Sequence, residues 1–249
     1  MKDFLFFMLV LFLLGACQGN QKSAPPEPWV NKPVSEWPEF ALTNTIQFSD
    51  TTFHDLANAM LIQTEHDTLV ATCKHIFMVF DNNRLANHIQ LGDNFQKWTV
   101  YPKGQSDKTI VLGNLLNENK QEVIGQFNTL KIRDWIIFDV EETKDLHPLK
   151  IRERSLEKGE LIYSVGWATG QETSEPALTK MKVFKNLGKY CYVKTLTDNV
   201  NPVGRSGSPV IDTNGHLVGL VSGAEGTMGV IATTAYLQEL LTQNGTVKK

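Results

Sequence analysis

Three cysteines in 249 residues are too few for a disulfide scaffold, and none stands with histidines at zinc-binding spacing. There is no phosphate-cradling P-loop pattern and no internal repeat. No apolar run reaches the roughly 20 residues that a membrane-crossing helix needs. Lys and Arg number 24 against 27 Asp and Glu, so the net charge is −3, and no basic stripe supports nucleic-acid binding. Helical periodicity is scarce. Metal, nucleotide and nucleic-acid chemistry are therefore unsupported, and no metal or organic cofactor is expected.

Glycine and β-branched residues are frequent, and turn signals recur roughly every ten residues. Strand candidates are 59–64, 68–72, 109–112, 122–127, 135–140, 161–167, 190–195, 209–212, 218–222 and 230–233. One segment differs. Thr234-Ala235-Tyr236-Leu237-Gln238-Glu239-Leu240-Leu241 spaces its apolar residues by three and four, and Gln243-Asn244-Gly245 ends it. It predicts a terminal helix over about 234–243.

The chemistry concentrates in Gly204-Arg205-Ser206-Gly207-Ser208-Pro209-Val210. Glycines on both sides of a serine permit a sharp turn. Such a turn presents a hydroxyl and, from the same backbone, N–H donors for an oxyanion. A serine hydroxyl needs a base, and the chain has six histidines. His75 follows the apolar strand candidate 68–72 directly. His54, His66, His88, His147 and His216 have ordinary turn or surface settings. A carboxylate should orient the imidazole. Asp134 and Asp139 flank the apolar run Trp135-Ile136-Ile137-Phe138. Asp134 is preferred because it leads into the bulky strand, whereas Asp139 leads into the acidic Glu141-Glu142.

Three segments carry a resemblance: Ala71-Thr72-Cys73-Lys74-His75, Asp134-Trp135-Ile136-Ile137 and the Ser206 turn. They resemble the histidine, aspartate and serine motifs of bacterial chymotrypsin-fold (trypsin-like) serine peptidases. The order His, Asp, Ser is that fold's order and not that of subtilisins or α/β-hydrolases. Residues 212–221 resemble the hairpin after the nucleophile. Residues 156–166 resemble the opening of the second barrel in high-temperature-requirement proteases.

The resemblance implies an all-β fold of two six-stranded antiparallel barrels with a C-terminal helix. Barrel one would cover about 39–147 and barrel two about 148–233. It implies His75, Asp134 and Ser206 as catalytic residues, the Gly204 and Ser206 N–H groups as oxyanion hole, and a protein or peptide substrate. The primary pocket would lie among Val200, Val221, Ser222 and Gly223. Val200 stands where trypsins carry an acidic group, so Lys or Arg preference is not implied, and a small or medium apolar residue is expected.

Departures are Ser208 at the motif's second glycine, Arg205 in place of a smaller residue, and Cys73-Lys74 where alanines are common. The Ser208 and Arg205 departures motivate an alternative, a catalytically silent or partner-activated binding lipoprotein on the same scaffold. The peptide-binding module that often follows such barrels is not expected after the helix, and a monomer is expected.

Residues Phe4 to Ala16 are thirteen consecutive apolar or small residues preceded by Lys2, the layout of a secretory signal peptide. Leu14-Gly15-Ala16-Cys17 resembles the bacterial lipobox, which implies cleavage after residue 16 and lipidation of Cys17. A cleaved signal with unmodified Cys17 is the simpler alternative. Residues 17–38, with five prolines, read as the lipidated terminus and a tether. The expected location is the bacterial cell envelope, membrane-held by lipid. Cys73 and Cys191 sit in apolar strand contexts, which suits buried free thiols as well as a bond between them.

Overall fold

The computed structural model describes residues 24–243 and 245. The expected signal segment and the lipidation candidate Cys17 lie outside the described residues.

Sixteen strands follow one another in chain order among the described residues. The first ten are β1 (Ala41–Phe48), β2 (Thr52–His54), β3 (Ala59–Gln63), β4 (Thr68–Thr72), β5 (His88–Ile89), β6 (Phe95–Tyr101), β7 (Ile110–Val111), β8 (Asn119–Val123), β9 (Ile136–Phe138) and β10 (Leu149–Lys150). The last six are β11 (Leu161–Gly166), β12 (Ala177–Asn186), β13 (Tyr190–Thr195), β14 (Pro209–Asp212), β15 (Leu217–Glu225) and β16 (Met228–Thr233). A helix, Thr234–Gln243, ends the regular structure of the described residues.

The last six strands form a closed antiparallel barrel in the order β11-β12-β13-β16-β15-β14. The first sheet runs β7-β6-β1-β3-β4-β9. Its two edges meet through the chain that continues from β7. The Leu112 N–H donates to Trp98 O on β6, while Gly113 N–H donates to Asp139 O and Leu116 N–H to Ile137 O at β9. The architecture is thus the expected pair of barrels with a terminal helix.

Each barrel is filled by its own strands. Leu42, Ile46, Met60, Val70, Trp98 and Phe138 are fully buried in the first, where the Trp98 and Phe138 rings approach to 5.0 Å. Ile162, Val183, Cys191, Val193, Val210 and Val218 pack together in the second. Cys73 and Cys191 are buried and unbonded to each other. Burial in these surroundings pushes the Cys191 thiol up to about 12.

Three long strands fall outside the sequence candidates: β1, β6 and β12. In β1, seven of eight residues are buried or half-buried, so alternation is lost. The candidate over 122–127 divides instead. Strand β8 stops at Val123, Gly125 breaks the run, and Phe127 starts a short helix to Leu130.

The proline-rich stretch is not free along its whole length. Pro28–Asn31 forms a 3-10 turn that buries Trp29. Its ring lies 5.0 Å from Trp37, 5.2 Å from Phe40 and 6.1 Å from His147. Glu27 N–H donates to Asn214 O of barrel two at 2.8 Å.

Candidate active site

Strand β4 pairs antiparallel with β9, setting Thr72 opposite Ile136. His75 follows the end of β4 and Asp134 precedes the start of β9. The pairing therefore brings the two together across 59 residues of chain. Trp135 fixes the aspartate end: it is fully buried, and its indole N–H donates to Thr233 O at 3.0 Å.

Asp134 is itself fully buried, and three donors meet its carboxylate. The His75 backbone N–H reaches Oδ1 at 2.8 Å, and His75 Nδ1 lies 2.7 Å from Oδ2. The Ser222 hydroxyl also donates to Oδ2. With its Nδ1 proton directed at Asp134, the imidazole turns Nε2 to Ser206 Oγ at 2.8 Å. A line of hydrogen bonds runs from carboxylate to imidazole to hydroxyl. Burial works against a charged imidazole. The Asp134 charge and hydrogen bond, with the Cys73 sulfur acting the same way, overcome it and hold His75 well above the ordinary histidine value.

Ser206 sits in the turn before β14. Gly204 and Gly207 adopt φ of +81° and +77°, the left-handed region that favours glycine. A Cβ on Gly207 would lie 2.0 Å from Asn58 O, and one on Gly204 would lie 2.5 Å from Thr169 N. The Val203 carbonyl accepts from Thr169 N–H at 2.9 Å. That bond orients the 203–204 peptide, whose N–H points the opposite way. Among the described residues, the N–H groups of Gly204 and Ser206 donate to no other group.

Residues 58–220 match the family of trypsin-like peptidase domains. The chain belongs to that family. It is a serine-type peptidase by membership. Its fold is similar to the Rv3671c protease from M. tuberculosis in its active form, at 17% identity and TM-score 0.57 over 89% of this chain and 88% of that one. It is also similar to a Glu endopeptidase in complex with MPD, at 15% identity and TM-score 0.58 over 90% and 97%. These are likenesses of fold. No curated protein matches the sequence significantly.

The other sequence candidates of this trypsin-like peptidase separate. Asp139 is remote from His75 and binds the backbone N–H and side-chain amide of Asn114. His54 and His66 have the polar, exposed settings expected of them, whereas His88 is half-buried beside Asn87. His216 does not: it is 5% exposed, 4.0 Å from Glu27 and 3.9 Å from Asp212. Val200, Val221 and Gly223 line a cavity of about 560 Å³ beside Ser206. Ser222 turns away from that cavity to Asp134, because neighbours on a strand face opposite sides.

Ser208 is free of backbone strain, since its φ is not positive. Arg205 does not point into solvent. It is 7% exposed and lines the same cavity.

Two features had no signal in the motifs. Asn58, just before β3, is a buried link between the barrels. Its side-chain amide donates to Trp167 O and Gly204 O at 3.0 Å each, its Oδ1 accepts from Trp167 N–H at 2.9 Å, and its backbone N–H donates to Ser206 O at 2.7 Å. Lys74, at 1% exposure, places Nζ 3.2 Å from Glu122, while Arg133 Nε reaches the same carboxylate at 2.8 Å. Burial lowers the Lys74 pKa, with Glu122 opposing it. Lys74 and Arg133 immediately precede His75 and Asp134, so one carboxylate ties both segments. A lysine beside the histidine read as a departure from the motif. The distant Glu122 that explains it is visible only in the fold.

Proposed function

We propose that this trypsin-like peptidase is a serine endopeptidase in which Ser206 is the nucleophile, His75 the general base and acid, and Asp134 the orienting carboxylate. The unbroken line Asp134–His75–Ser206 carries the reading. Ser206 Oγ attacks a peptide carbonyl while His75 Nε2 takes its proton. Asp134 keeps the Nδ1 proton in place and offsets the imidazolium charge. The Gly204 and Ser206 N–H groups receive the oxyanion, each donor typically worth about 10²–10³ in rate. His75 then protonates the leaving amine, and water resolves the acyl-enzyme.

The test is a fluorophosphonate probe at neutral pH on the full chain. Labelling of wild type and not of Ser206→Ala or His75→Ala is expected, with Ser206→Ala lowering peptide hydrolysis by about 10⁶. A folded wild-type protein that resists the probe would favour the silent or partner-activated scaffold.

The apolar run Phe4 to Ala16 and Leu14-Gly15-Ala16-Cys17 support export and a lipid anchor at Cys17 in a bacterial envelope. More than one acyl chain gives a stable anchor. Cys17→Ser is expected to move the protein from the detergent phase to the aqueous phase in a partition assay. Equal partitioning of both proteins would remove the anchor.

A further inference from the structure

The cavity beside Ser206 is walled mainly by apolar groups, among them Val200, Val221, Met228 and Ile231. Two groups on its wall do not fit that character. Arg205 is nine-tenths buried, and its Nε donates to Asn201 O at 2.8 Å. Its Nη1 is buried with no hydrogen-bond partner. Thr179, 3% exposed on β12, also has a buried hydroxyl without a partner. Among the described residues no carboxylate lies within ion-pair distance of Arg205. The nearby acid, Asp198, is exposed on a neighbouring cavity and forms no ion pair.

A buried charge without a counter-charge is costly, and an orphaned hydroxyl adds to the cost. Burial alone lowers the Arg205 pKa, with no anion opposing it. A carboxylate would satisfy both groups, accepting from the guanidinium and from the threonine hydroxyl. The cavity opens beside Ser206, so a substrate side chain next to the attacked carbonyl can deliver that carboxylate. We infer that Arg205 and Thr179 form a carboxylate subsite in this cavity, so that the peptidase prefers an aspartate or glutamate side chain on the acyl side of the cleaved bond. This rests on the proposed role of Ser206, and it replaces the apolar preference that Val200 suggests. Arg205 and Thr179 also line the neighbouring cavity of about 390 Å³, from which a free carboxylate could reach them.

The experiment is a set of otherwise identical peptides carrying Glu, Asp, Gln, Leu or Arg before the scissile bond. A kcat/KM at least about tenfold higher for Glu or Asp than for Gln is expected, since sites built for a polar group reject its analogue strongly. Arg205→Met is expected to bring that ratio close to one. Because the readout is a ratio, a loss of rate common to all peptides does not enter it. Should Arg205→Met fail to fold, Thr179→Val is expected to lower the same ratio.

Equal rates on Glu and Gln peptides, or an acidic preference that survives Arg205→Met, overturns the subsite. Acetate that accelerates all peptides alike also overturns it, by assigning the carboxylate to the neighbouring cavity. Fluorophosphonate labelling on the same samples separates the two readings. A labelled enzyme without acidic preference loses only the subsite, whereas an unlabelled folded one loses the proposed role of Ser206.

Discussion

At the scale of single residues, the balance at His75 sets the pH behaviour. Burial opposes the imidazolium and the Asp134 carboxylate favours it, and the carboxylate wins. In its proposed role as base, His75 must be neutral to take a proton from Ser206. The acid limb of the kcat/KM profile is therefore expected above the ordinary histidine value of 6.5. Asp134→Asn removes the charge that raises it. That variant should shift the limb to lower pH and cut the rate by about 10⁴. The linkage to stability has the same origin. A raised folded pKa gives stability that is fully present below the unfolded value and lost as pH rises through the folded one. Denaturant titrations should thus show wild type losing more stability than Asp134→Asn over that alkaline span. An acid limb at or below the ordinary histidine value would contradict the assignment of Asp134.

At the scale of elements, the Ser206 turn owes its shape to a residue in the other barrel. Asn58 occupies Trp167 and Gly204 with its side chain and Ser206 with its backbone. Its replacement by alanine leaves the Gly204 and Trp167 carbonyls and the Trp167 N–H without these partners. Buried groups orphaned in this way cost about 1–3 kcal/mol each before water or relaxation repairs them. Asn58→Ala is expected to lose about 3 kcal/mol in chemical denaturation. It should lower kcat more than it raises KM, because the turn that holds the proposed oxyanion donors is loosened. An unchanged kcat in a destabilised protein would restrict Asn58 to joining the barrels.

This element also marks how far the sequence is legible. Ser206, His75 and Asp134 announce themselves because each lies in a local pattern: a glycine turn, a strand end, an acid before an aromatic. Asn58 acts through partners 109 and 146 residues away, and nothing beside it in the chain distinguishes it from an ordinary loop asparagine. Arg205 is equally plain in sequence, where its exposure is undefined. The strands follow the same division. Strands β3, β4, β11 and β14 fall within apolar runs bounded by turns. In β1, the polar Thr43 and Asn44 are buried by cross-strand and loop contacts made elsewhere. Strand β12 does alternate, with Thr179, Met181 and Val183 inward, but lysines between them dilute its apolar content.

At the scale of the whole molecule, the folded unit extends upstream of residue 39. Glu27 reaches across to Asn214, His216 and Lys150, and Trp29 seats its ring between Phe40, Trp37 and His147. A Cβ on Gly215 would come within 2.8 Å of the Trp29 ring, so the barrel-two turn is shaped to receive the strap. Composition pointed to a tether here because prolines preclude periodic structure. They do not prevent one tryptophan from docking. Trp29→Ala is expected to cost about 3 kcal/mol, the low end for removing a buried tryptophan. A chain beginning at residue 39 should lose at least as much relative to one beginning at Ala24. Both comparisons are read by denaturant titration at constant pH. The triad residues lie on other segments, so any loss of rate should follow the unfolded fraction rather than a change in kcat of the folded enzyme. If the chain from residue 39 matches the one from Ala24 in stability, the 27–37 segment is only resting on the barrels.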